Sequence, residues 1–246
     1  MNRYFLEVAY KGTHYSGFQV QENANTIQAE VEKAFYTVFR QPITLTGSSR
    51  TDAGVHALQN FFHFDFEADL DSKFIYKLNS LLPSDIAIRN IYLMPPTAHS
   101  RFNALSREYE YKIYTQKNPF LKETAFYYPY KLDLGLMKEA ASLIKQETNF
   151  YSFAKTNTQV HNFNCTIYIS DWRQEDDFLI YHIKANRFLR GMVRLLTATQ
   201  LKLGRGKISM SHFKDLFRVP EVKCHFSVPP TGLLLKAVHY PENFFP

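Results

Sequence analysis

Read by period alone, the chain repeats one order of elements: strand, helix, strand, strand, helix, strand. In the first half, Tyr4, Leu6, Val8 and Tyr10 alternate as on a half-buried strand. Ile27, Val31, Ala34, Phe35 and Val38 then fall at helical spacing, with Asn25 or Thr26 available as the cap. Ile43 and Leu45 alternate with Thr44 and Thr46, and Phe62, Phe64 and Phe66 alternate with His63 and Asp65, which predicts two more strands. Phe74, Leu78, Leu81 and Leu82 give a second helix ended by Pro83, and Ile86, Ile88 and Ile91 open a last strand. This β-α-β-β-α-β order is the ferredoxin-like split motif, which RNA-recognition modules also use.

The second half repeats the order with longer insertions. Tyr109, Tyr111 and Ile113 share one face of a strand, and Leu134, Met137, Ala141 and Ile144 suit a helix. Strands follow near 167–172 and 178–185, around the acidic turn Glu175-Asp176-Asp177. A helix is expected over about 188–203, a shorter one over 212–219, and a final strand over 232–240. The prolines at 95 and 96 mark the seam between halves, since proline cannot continue a central strand. The class is therefore α+β: two ferredoxin-like, RRM-like βαββαβ halves with mixed antiparallel sheets, 1–104 and 105–246.

Charge divides along the same line. Through Ala104 the chain carries 9 basic and 10 acidic residues; from Leu105 onward it carries 20 and 13. Within 184–223 there are 10 basic residues against only Asp215 and Glu221. A basic half on a globular scaffold favours a polyanionic partner. On the expected helix, Arg187, Arg190 and Arg194 would lie within about 60° of one another, opposite Phe188, Met192, Leu195, Thr199 and Leu203. Such a stripe is either a solvated face or, being all arginine, a surface for phosphate or carboxylate. Cys165 and Cys224 are the only cysteines and lack metal-ligand spacing, so neither a disulfide framework nor a metal site is expected. No apolar run approaches ~18 residues, which predicts a cytoplasmic protein without a membrane span.

Between the second and third strands of the first half lies Arg50-Thr51-Asp52-Ala53-Gly54-Val55-His56-Ala57. It sets a carboxylate beside an arginine in a glycine-containing loop between strands, where catalytic groups are often placed. Arg50 would favour the ionised form of Asp52. The same spacing also suits a plain turn in which Asp52 bonds its own backbone near Gly54.

This run resembles the signature of the tRNA pseudouridine synthase A family. Further stretches match in the same order: Ala9-Tyr10-Lys11-Gly12, Gly17-Phe18-Gln19, Leu82-Pro83-Ser84-Asp85-Ile86-Ala87-Ile88-Arg89, and Ser100-Arg101-Phe102-Asn103-Ala104 on to Tyr109 and Tyr111. Phe188-Leu189-Arg190-Gly191-Met192-Val193-Arg194 and Gly232-Leu233-Leu234-Leu235 complete the set. The resemblance implies two sheets joined across a central cleft, with the first half carrying the catalytic loop and the basic second half binding RNA and completing the site. It assigns catalysis to Asp52, stacking on the target uracil to Tyr109, and a place facing the aspartate to Arg194, with Arg50 in the signature itself. Lys184, Arg187 and Arg190 become candidates for the RNA backbone. It further implies a homodimer that acts on positions 38, 39 and 40 of the tRNA anticodon stem-loop.

The implied reaction breaks the N1–C1′ bond of uridine, turns the base and rejoins it through C5, so no cofactor is called for. The carboxylate can attack C1′, add to C6 or remove a proton, and the residues leave these roles open. His56 is expected to support the loop, since the chemistry leaves it no necessary task. There are three departures from the family pattern. Phe18 stands where tryptophan is usual, Glu108 and Glu110 flank Tyr109 where basic residues are common, and Cys165 precedes Thr166-Ile167 where arginine is frequent. The last two bear on how tRNA is held. Two rivals are a non-catalytic RNA-binding module with paired RRM-like sheets and a small-nucleoside glycosidase. The second would need another carboxylate beside the first.

Overall fold

A computed structural model describes residues 1–155, 161–219 and 222–246. The elements run β1 (Asn2–Tyr10), α1 (Ile27–Phe39), β2 (Thr46–Gly47), β3 (His56–Phe66), α2 (Ser72–Leu81), β4 (Ile86–Met94), β5 (Ser106–Tyr114), β6 (Phe126–Tyr127), α3 (Leu134–Gln146), β7 (Ile167–Glu175), β8 (Phe178–Ala185), α4 (Met192–Gly204), α5 (Met210–Arg218) and β9 (Leu233–His239). The α+β class expected from the period holds. No helix among the described residues is long and apolar enough to cross a membrane.

Two compact units result: Met1–Leu105 with Leu234–Pro246, and Ser106–Leu233. The boundary falls one residue from the expected one, after 105 rather than 104, and the expected partition changes only at the C-terminal end. The segment after Pro95 and Pro96 stays with the first unit, because Arg3 donates to Ala98 O at 2.7 Å and the Ser100 hydroxyl donates to Thr46 O at 3.0 Å. Residues 234–246, expected in the second half, also belong to the first unit, because β9 pairs in parallel with β3 at His56↔Leu234 and Ala57↔Leu235.

In the first unit β1 lies antiparallel between β4 and β3, and β2 pairs with β3. Thr26 caps α1 by accepting from Ala29 N at 3.2 Å, and Asp71 caps α2 by accepting from Lys73 N at 3.0 Å. Both helices pack on one face through Phe35, Phe39, Phe64, Phe66 and Phe74, with ring centroids 4.6–5.0 Å apart. The C-terminal segment covers the other face, where Phe245 stacks on Phe61 at 5.3 Å and Tyr240 lies edge-on to Phe61. Coverage on both faces explains why consecutive residues of β3, including the expected outward-facing His63, are buried. The strand expected over 43–46 shrinks to Thr46–Gly47. Side chains of α1 replace its ladder: Glu32 accepts from Leu45 N at 3.0 Å and Gln28 donates to Leu45 O at 2.8 Å.

The second unit holds the antiparallel ladder β5-β8-β7, with β6 parallel to β5. Asp176, at φ +48°, turns the β7–β8 hairpin where the acidic turn is expected. Trp172 stacks on Tyr181 at 5.0 Å and donates Nε1–H to Gln200 of α4 at 2.8 Å. Helix α4 is buried nearly all round, as a helix enclosed by its own domain must be. It starts at Met192 rather than near 188, because Gly191 sits at φ +73° immediately before it. Arg187 and Arg190 therefore precede the helix, and the expected three-arginine helical stripe does not form.

Candidate active site

Asp52 sits half-buried in the loop leading into β3, and its carbonyl accepts from Val55 N at 3.2 Å to close a turn. A turn is thus present in this run, closed by the Asp52 carbonyl on Val55. Backbone from outside the loop fixes it on several sides. Phe18 N donates to Thr51 O at 3.2 Å, and Gly54 N donates to Tyr15 O at 3.3 Å. The buried His56 accepts from Gly12 N through Nδ1 at 3.0 Å, the supporting role expected of it. A Cβ on Gly12 would lie 2.1 Å from Val55 O, so only glycine permits this approach.

A second ring of side chains holds those neighbours. The Tyr10 hydroxyl hydrogen-bonds Thr51 Oγ1 at 2.8 Å, and Asn60 donates both to it and to Ser49 O. Burial pushes the Tyr10 pKa above the usual phenol range, so this buried hydroxyl keeps its proton. Phe18 stacks on Phe62 at 4.4 Å, so the tryptophan-to-phenylalanine departure keeps the aromatic packing. Tyr15, whose carbonyl takes the Gly54 N–H, donates its hydroxyl to Asp85. Tyr10, Tyr15, Asn60 and Asp85 were missed as site residues by sequence reasoning. The signal for Tyr10 and Asp85 was present all the same, since both fall in stretches that match the family.

Arg50 lies in the same loop with its side chain exposed. The other candidates lie in the second unit. Tyr109 is buried on β5 opposite Ile183, and its ring meets Phe188 edge-on at 5.1 Å. Arg194, in the first turn of α4, donates Nε–H to Val228 O at 2.8 Å, while Val228 N donates to Arg194 O at 3.3 Å. The neighbouring Pro229 O accepts from the Tyr111 hydroxyl at 2.8 Å. Burial raises the Tyr111 pKa, against the lowering effect of the Arg194 charge. Tyr111 and Arg194 thus grip one strap, and Gly232 leaves room for the Tyr111 ring, 2.7 Å from where its Cβ would be.

Asn186 shapes the approach to α4. Its Oδ1 accepts from Thr166 N at 2.9 Å and from Arg187 N at 2.8 Å. Arg190 O accepts from Lys155 N at 3.1 Å, with the Arg190 side chain exposed; Lys184 and Arg187 are half-buried. Farther along the basic segment, Lys202 sits over Phe226 at 3.2 Å, Arg205 over Tyr130 at 3.6 Å and Lys223 over Tyr151 at 3.4 Å. Glu221, counted in that segment, lies outside the described residues.

The departures have local accounts. Glu108 pairs with His182 Nε2 at 2.8 Å, and Glu110 pairs with Arg173 at 2.6 Å. Both carboxylates are matched by neighbours within the sheet. Cys165 is buried against Met192, and burial pushes its thiol up to about 11, which makes it a packing residue rather than a reactive one.

The family described as tRNA pseudouridine synthase matches residues 7–103 and 143–241. A "tRNA pseudouridine synthase A" of Parabacteroides distasonis is 41% identical, with 100% of this chain and 99% of that protein covered. Proteins of the same name are 39% identical in Porphyromonas gingivalis, covering 100% of both chains, and 34% identical in Staphylococcus aureus (strain Newman), covering 98% of this chain and 92% of that one.

Proposed function

We propose that Asp52 is the nucleophile of this chain's reaction, on the premise that the chain belongs to the tRNA pseudouridine synthase family. The protein is an isomerase that converts uridine in tRNA to pseudouridine. The base leaves C1′ through N1, turns, and returns through C5; C5 loses a proton and N1 gains one. Such chemistry needs a carboxylate near sugar and base, and a base freed from its stack needs a platform.

The observation that carries the assignment is the Asp52 loop itself. Its carboxylate rides on backbone bonded to Tyr15, Phe18 and, through His56, Gly12. A fixed backbone of this kind supports a catalytic group far better than a solvated turn would. Tyr109 is the proposed platform for the uracil, and Arg50 and Arg194 are the proposed charges that orient the substrate. Lys184, Arg187 and Arg190 are assigned to backbone phosphates. The substrate positions are 38, 39 and 40 of the anticodon stem-loop, and the working form is a homodimer in the cytoplasm.

The test is release of tritium from tRNA carrying C5-tritiated uridine. Wild-type protein should release tritium from uridines at 38, 39 and 40 and from no other position. Release from a distant loop instead would refute the positional assignment. Binding of tRNA with no release at all would leave only the RNA-binding module.

A further inference from the structure

The first unit carries an exposed aromatic ring that neither the core nor the Asp52 loop uses. Phe102 is 75% exposed, yet it is held in place. Its ring rests on His99 at a centroid distance of 4.2 Å, and His99 rests on His63 of β3 at 4.4 Å. The loop beneath is closed by Asn103, whose Oδ1 accepts from His99 N at 2.6 Å and whose N donates to His99 O at 3.1 Å. His99 Nδ1 accepts from Arg101 N at 3.1 Å and from Phe102 N at 3.4 Å. Ser100 anchors the loop from below: its hydroxyl is 2.8 Å from His63 Nδ1 and donates to Thr46 O. The Arg101 guanidinium lies 5.7 Å from the Phe102 centroid.

Exposure by itself is ordinary for a hydrophobic residue. Phe120 is 91% exposed and has no ring or cation against it among the described residues. Phe102 differs because two further rings, His99 and His63, back it, a side-chain-capped loop fixes it, and the Arg101 guanidinium lies near its ring. A rigid, outward-facing ring beside a guanidinium is what stacking on an unpaired nucleobase requires, with the arginine serving the adjoining phosphate or the base face. Position argues against the target uracil as the occupant. The column stands on His63, seven residues along β3 from His56, or ~23 Å of strand.

We propose that Phe102 is a stacking platform for an unpaired base of the tRNA other than the target uridine, with Arg101 as its electrostatic partner. The inference rests on tRNA being the substrate and adds a recognition element to the site. The side chain takes no part in the chemistry, so its removal acts on KM rather than kcat.

The experiment compares wild type, Phe102→Ala and Phe102→Trp in pseudouridine formation on one tRNA, with urea unfolding as the check on folding. Phe102→Ala should raise KM by about five- to tenfold with kcat changed less than about twofold, and Phe102→Trp should restore KM. The chain's single natural tryptophan, Trp172, is buried. The exposed indole of Phe102→Trp should therefore report directly, its emission falling when tRNA binds. An unchanged KM in Phe102→Ala, or unquenched emission in Phe102→Trp, overturns the proposal. So does a shift from dimer to monomer in Phe102→Ala with KM intact, which would assign the ring to an interface between copies. A wild-type protein that forms no pseudouridine would instead overturn the parent reading.

Discussion

The loop around Asp52 and the segment leading into α4 both come from runs shared with the family, yet they are held in opposite ways. The Asp52 loop is clamped by backbone groups of Gly12, Tyr15 and Phe18, with Tyr10, Asn60 and Asp85 behind them. Residues 186–191 rest on the Asn186 side chain, one bond from Lys155 and a left-handed glycine. The first arrangement fixes the backbone that carries one short carboxylate, as the proposed bond-making role requires. The second presents long arginines whose heads can adjust to a polyanion. Precision is built into backbone, reach into side chains.

Four experiments would break or sharpen this contrast. Among these the largest effect is expected from Gly12→Ala, since the new Cβ meets Val55 O and can move only by shifting the Asp52 loop. It should lower stability by at least ~2 kcal/mol in urea unfolding and depress turnover with it. Gly206→Ala in the second unit, with φ +66° but nothing within 4 Å of its Cβ, should lose only about 1 kcal/mol. Equal losses at the two sites would mean the Asp52 loop is no more constrained than a surface turn.

Next comes Tyr109→Leu, which removes the proposed platform and should reduce turnover by roughly five- to 150-fold, matching ~1–3 kcal/mol of stacking. Tyr109→Phe divides the roles: a near-normal rate assigns only the ring, and near-complete loss brings the hydroxyl into proton transfer. Wild-type behaviour of Tyr109→Leu would make the residue structural.

Smaller still is the effect of Arg187→Ala with Arg190→Ala. Affinity for different tRNAs should weaken alike, and the slope of log affinity against log salt should flatten by ~0.7–0.9 for each phosphate no longer neutralised. Turnover at saturating tRNA should stay close to normal. Identical salt slopes in wild type and double variant would leave these arginines solvated and place the RNA elsewhere.

A separate effect concerns pH and the first unit's sheet. Burial, then the nearby His99 and Arg3 charges, lowers the His63 pKa to about 4. The unfolded chain takes up this proton near pH 6.5 while the folded chain resists it until about 4. The contribution is complete above pH 6.5 and is lost as pH falls through that window. His63→Asn should therefore flatten the fall in urea midpoint between pH 7 and pH 4.5, and a parallel fall would contradict the assignment.

How much of this was legible in the sequence follows the same division. Helices α1 and α2 were legible because each carries a strong cap, Thr26 or Asp71, ahead of its apolar period. The strand over 43–46 was misread because Glu32 and Gln28 supply bonds that a ladder would otherwise make, and alternation cannot distinguish the two. The start of α4 was misplaced because Phe188 keeps helical spacing with Met192, and only Gly191 carries the break. The return of β9 to the first unit was illegible because a parallel pairing of two residues leaves no local pattern. For the site, the run at 50–57 identified the loop, while Tyr10 and Asp85, which stabilise it, read as ordinary strand and turn residues.

The most direct test of the central claim is single-turnover pseudouridine formation by Asp52→Asn on bound tRNA. The substitution keeps size and polarity and removes only the charge. The account predicts a rate reduced by at least ~10⁴-fold with tRNA affinity within about threefold of wild type. A single-turnover rate within about tenfold of wild type, from a preparation with the substitution verified, would contradict it.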